Sequence, residues 1–161
     1  MTQLDNVVYV VCNSYVIKTY AADTLESFGE DIHVTGMGVT TDIVVCRDDR
    51  QLFVADWDDC ISRVSADDHS DQEKWLSTES AKRTFAICKL SLTSQRLLVT
   101  SQRSRSLRQY STTDRKLLCD VHLKGHMKDL YHGVETTRGT FVVCHRGTSD
   151  DNKWQHAVSM I

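Results

Sequence analysis

Among the 161 residues, the side chains best suited to chemistry are seven histidines and six cysteines. His122 and His126 stand four apart, a spacing that lets two imidazoles share one metal on a helix. Lys124 and Gly125 lie between them and no glutamate follows His122, so the H-E-x-x-H pattern is absent. Cys144 and His145 are adjacent, the residue types of a thiolate and its base. In a strand they point to opposite faces, which prevents them from acting as a pair. Cys12, Cys46, Cys60, Cys88, Cys119 and Cys144 form no C-x-x-C motif. Most end apolar runs such as DIVVC, TFAIC and TFVVC, and are expected to be reduced thiols packed as small hydrophobes. No G-x-S-x-G elbow and no phosphate-binding loop occurs. The residues therefore indicate no catalytic group, no metal and no cofactor.

Charge is more informative. The net charge of −3 conceals two opposed segments. Residues 38–81 carry 4 Lys+Arg and 11 Asp+Glu, whereas residues 82–128 carry 11 Lys+Arg and 2 Asp+Glu. Arg96, Arg103, Arg105 and Arg108 cluster in the second segment, and Asp58 and Asp59 follow Trp57 in the first. Guanidinium groups in a cluster match the oxygens of carboxylates and phosphates. An exposed tryptophan anchors protein contacts. The alternative for these charges is mutual neutralisation between neighbouring segments.

The elements that must position these residues repeat. The apolar runs VYVVC, LFVAD, LLVTS and TFVVC have second residues Tyr9, Phe53, Leu98 and Phe141, spaced by 44, 45 and 43 residues. Each reads as a short strand buried on both faces. Strands at DIVVC (42–46), TFAIC (84–88) and LYHGVET (130–136) precede three of them, joined by RDDRQ, SLTSQ and TTRG. A third strand follows at YVIKTY (15–20), CISRV (60–64) and SLRQY (106–110), then turns at Asp23, Asp67 and Asp114. TLESF, EKWLS and RKLLCDVHL supply fourth strands. A period near 44 residues with four antiparallel strands is the pattern of a β-propeller blade. The expected fold is all-β: one partial propeller domain over 1–161, with repeats at about 6–37, 38–81, 82–128 and 129–161. The chain reads as opening at a second strand and ending near a third, about three and a half blades. Closing the ring then requires further blades or self-association, and a fragment of a larger propeller is the favoured reading.

At LFVADWDDCISRV the chain resembles the NHL repeat and the wider NHL-like six-bladed propellers. Leu52–Asp56 matches that family's "LYVAD" strand, and Ile61 and Val64 match its "NRIQVF" strand more loosely. Cys60 replaces the usual asparagine, and the proline-bearing entry is reduced to GMGVTTDIVV in a chain without proline. KGHMKDL approaches the Gly-His entry of a WD40 repeat. That family is set aside because TGMGVTT lacks the histidine and Trp57-Asp58 follows a second strand rather than closing a third.

The resemblance implies a non-catalytic scaffold that meets a protein partner through its rim loops. The expected contact residues are Arg96, Arg103, Arg105, Arg108, Trp57, Asp58 and Asp59. Two alternatives come with it. One is RNA binding through the basic third blade, although no aromatic residue interleaves the arginines to stack bases. The other is a metal-dependent lactonase with carboxylates such as Asp42, Asp56 and Glu135 facing the central channel. No apolar run approaches the ~20 residues that span a bilayer, so no membrane partner is expected. The start, MTQLDNVVYVVC, does not read as a signal peptide, which points to an intracellular, cytoplasmic protein.

Overall fold

The computed structural model describes residues 1–12, 14–58, 60–77, 88–101, 106–123, 127–148 and 154–161. All regular structure in them is β, in fifteen strands, and none of their segments is a helix long and apolar enough to cross a membrane. By its contacts the chain divides into two compact units, Met1–Phe85 and Ala86–Ile161.

The first unit holds two four-stranded sheets. One comprises β1 (Thr2–Leu4), β2 (Val7–Val11), β3 (Val16–Ala21) and β4 (Ile32–His33). The other comprises β5 (Thr40–Cys46), β6 (Gln51–Asp56), β7 (Cys60–Ser65) and β8 (Gln72–Ser77). In each, neighbours in sequence are neighbours in the sheet, and all pairs are antiparallel. Burial explains the apolar runs: Leu52 to Asp56 are buried without a break, because both faces of β6 are covered. One face carries Leu52 and Val54 into a core with Tyr9, Ile17, Ile43 and Val64. On the other, Phe53 meets the buried Trp75 edge-on, with ring centres 5.0 Å apart. Trp75 is thus a packing residue, in contact with a ring of its own sheet.

The second unit holds β9 (Cys88–Thr93), β10 (Arg96–Ser101), β11 (Ser106–Ser111) and β12 (Leu117–His122) in one sheet. β13 (Lys128–Glu135), β14 (Phe141–Thr148) and β15 (Trp154–Met160) form a second. Leu98, Leu107, Leu130, Phe141 and Val143 form the core between them. Gly133 marks the closest approach. A Cβ there would lie 2.9 Å from Leu107 Cδ2 and 3.2 Å from Thr100 Oγ1.

Three expected elements move. The chain opens not at a second strand but at β1, where Leu4 pairs with Val7 across a turn whose Asp5 has φ 49°. TQL is short and polar and gives no periodic signal. The fourth strand expected at TLESF becomes β4 at Ile32–His33, although residues 26–28 still bond the end of β3. The first strand of the third repeat is Cys88–Thr93, and residues 84–87 lie outside the described set. SLTSQ, expected as a five-residue turn, is mostly strand. Only Ser94 (φ 41°) and Gln95 (φ 61°) turn, the left-handed pair of a tight hairpin.

Of the expected turn residues Asp114 caps its turn, whereas the Asp67 carboxylate pairs with Arg50 and its neighbour Asp68 is the cap. Asp68 accepts the Ser70 amide and hydroxyl, and Asp114 accepts the Lys116 amide. Hydrogen bonds with Ser70 and Ser111 hold these two carboxyls below the usual aspartate range. Among the five cysteines whose side chains are described, all free, Cys46 alone is buried, while Cys12 and Cys144 are exposed. Alternation along β14 exposes Cys144 and buries His145, whose Nε2 lies 2.9 Å from Ser159 Oγ.

Candidate loop rim of the first unit

Asp56 ends β6 with 1% of its surface exposed. A carboxylate so placed needs donors, and backbone amides provide them. Asp58 N and Cys60 N each donate to Oδ1 at 2.9 Å, and Gly38 N donates to Oδ2 at 3.0 Å. One side chain therefore shapes the β6–β7 turn and ties it to the crossover from β4 to β5. The loops approach closely at Gly38, where a Cβ would lie 2.9 Å from Asp58 Oδ2 and displace that exposed carboxylate. Trp57 N donates to Val39 O at 3.1 Å, a second tie between the same loops. The buried Thr40 extends the network to the β2–β3 turn, donating through N (2.9 Å) and Oγ1 (2.6 Å) to Ser14 O.

Three loops are thus laced at one end of this unit. They present Tyr15, 64% exposed, the half-buried Trp57 and the exposed Asp58. Rigid aromatic side chains beside a carboxylate suit contact with another macromolecule. Sequence reasoning named Trp57 and Asp58 but missed Tyr15, Ser14 and Gly38. Asp59 lies outside the described residues.

The arginines are arranged differently. Arg103 and Arg105 lie outside the described residues. Arg96 Nη1 is 3.6 Å from Glu135 Oε1, and Gln109 Nε2 donates to the other oxygen at 2.7 Å. Arg108 Nε is 3.3 Å from Asp120 Oδ2 on the next strand. Val99 is the register partner of Arg108 and Arg96 is three residues from Val99, so the two arginines point to opposite faces of their sheet. The described half of the basic cluster is divided and paired with carboxylates.

Two of the three channel carboxylates are committed: Asp56 to three amides, Glu135 to Arg96 and Gln109. Among the described residues no group of three or more His, Cys, Asp or Glu is placed to hold a metal ion. His122 is exposed, and His126 lies outside the described set.

Comparison with solved structures decides the architecture. The WD40 β-propeller domain of Doa1 superposes with a TM-score of 0.64 over 96% of this chain, at 18% identity. The fold is a WD40-like β-propeller. The WD40 repeats of RRP9 (TM-score 0.63, 94% of this chain, 12% identity) and the N-terminal domain of Nup159 (0.65, 99%, 8%) are similar in the same way. The chain spans about half the length of these propellers, 47%, 47% and 43% respectively. No family model and no curated protein sequence matches it. The likeness is to the repeat type that the missing Gly-His entry had set aside, and NHL remains a resemblance of the LFVAD strand. At these identities the propeller frame survives without its sequence signature, because β-branched and apolar strands satisfy the same packing.

Proposed function

We propose that this WD40-like propeller segment is a non-catalytic binding module that engages a protein partner through the loop rim of its first unit. The observation that carries the reading is the buried Asp56 carboxylate. It ties down two loops that present Trp57 and Asp58, with Tyr15 on the adjoining turn. Fixing these loops before association lowers the entropy lost on binding. The five described free thiols, two of them exposed, suit a reducing compartment. A photo-crosslinking residue replacing Tyr15 tests the proposal in cells. A discrete adduct that disappears with Trp57→Ala supports it. Equal crosslinking from Tyr15 and from Leu118, an exposed residue of β12, refutes it.

A further inference from the structure

A second surface of the first unit is built differently. β3 pairs with a strand that is interrupted: Phe28 N bonds Thr19 O, Tyr20 bridges Ser27, and pairing resumes at Ile17 with Ile32. Gly29, Glu30 and Asp31 therefore oppose the single residue Lys18 as a three-residue bulge. Gly29 begins the bulge at φ +75°, a conformation that favours glycine. The bulge opens a cavity of about 500 Å³ between the two sheets, walled by Tyr9, Phe28, Ile32, His33 and His69. Tyr9 and His69 meet edge-on, with ring centres 6.5 Å apart. Gln72 holds the far wall open, donating to His33 O and accepting from Thr35 N, both at 2.9 Å. These backbone groups are thereby satisfied without a further strand.

The mouth is acidic. Glu30 and Asp31 line it, and no ion pair among the described residues uses either. Residues 21–35 and 64–73 carry eight Asp or Glu and no Lys or Arg. Arg50, whose charge acts on Tyr9, is committed to Asp5 and Asp67, and Lys18, opposite the bulge, lies on the face of β3 away from the lining residue Thr19. Phe28, 52% exposed, stands beside the opening. An aromatic wall under unpaired carboxylates suits a cation with an apolar stem. The volume falls in the range of small-ligand pockets, roughly 300–1,000 Å³, larger than one ion requires.

We infer that this bulge pocket binds a short basic peptide segment of a partner protein. A Lys or Arg reaches Glu30 and Asp31, and an adjacent apolar side chain rests against Phe28 and Tyr9. The site is lined by none of the rim residues Tyr15, Trp57 and Asp58 and does not depend on the rim reading.

The test is a titration of the isotope-labelled 161-residue chain, followed by amide NMR, with the peptide acetyl-Lys-Phe-Arg-Leu-amide. Acetyl-Glu-Phe-Asp-Leu-amide is the control. The basic peptide is expected to shift resonances of residues 28–33 and His69, and added salt weakens it. Glu30→Gln with Asp31→Asn weakens it at least roughly tenfold with an unchanged melting temperature. Trp57→Ala leaves it unchanged. Equal binding of the acidic peptide, shifts confined to other surfaces, or no binding of either peptide overturns the inference.

Discussion

Replacing Asp56 with alanine removes three hydrogen bonds to one charged, buried side chain. Hydrogen bonds to charged groups contribute about 1.5–3 kcal/mol each. Two effects reduce their sum. Water reaches the exposed turn near Asp58 and can bond its amide, and the variant no longer buries a carboxylate. A net loss of about 3 kcal/mol is expected. For a chain of this size that corresponds to a melting temperature lower by roughly 6–12 °C. Asp56→Asn separates the bonds. Its carbonyl oxygen can retain Asp58 N and Cys60 N, while its amide group faces the Gly38 N–H and accepts nothing. About a third of the loss is expected, near 1 kcal/mol. Circular dichroism melts, with tryptophan fluorescence in urea, measure both. Trp57 and Trp75 flank the affected sheet and report on it. An alanine variant that melts within 2 °C of the parent, or an asparagine variant as unstable as alanine, refutes the reasoning that this carboxylate holds the rim.

Two further outcomes follow from packing and burial. Gly133→Ala is expected to cost about 1 kcal/mol and Gly133→Val about 3 kcal/mol, because the new carbons press on Leu107 and Thr100. A urea midpoint unchanged in the valine variant contradicts that close approach. Burial pushes the Tyr9 phenol above its ordinary value of 10.0. The unfolded chain therefore loses this proton first, and stability falls as pH rises past about 10. Tyr9→Phe should flatten that alkaline decline while leaving neutral-pH stability within about 1 kcal/mol. Parallel pH profiles for the two proteins exclude Tyr9 as a source of the decline.

Much of the frame was legible because the buried strands are long and uninterrupted. LFVAD and DIVVC lie in strands at the expected places, since a run of apolar, β-branched residues buried on both faces leaves little freedom in assignment. Short polar elements were not legible: TQL becomes β1 by pairing with Val7–Tyr9 across the Asp5-Asn6 turn. SLTSQ looked like a turn by composition, yet pairing with β10 extends β9 to Thr93 and leaves two residues to turn. At the site, Trp57 and Asp58 could be named from residue type and position. Asp56 entered the sequence reading only within the channel-carboxylate alternative, and its turn-capping role was missed, because a carboxylate in a strand and one capping the turn after it look alike in sequence. The split between Arg96 and Arg108 depends on hairpin register, and a one-residue change in turn length reverses the face.

Each sheet is a meander in which every strand pairs with its neighbour in sequence. Described turns as short as Asp5-Asn6 and Ser94-Gln95 join strands in both units. Closing such short loops sacrifices little chain entropy, so hairpins can form early and recruit one strand at a time. With no proline in the chain, no prolyl isomerisation delays that growth. Refolding of each sheet should therefore proceed without a phase lasting tens of seconds, and a hairpin released from the nascent chain can close before the rest has been made.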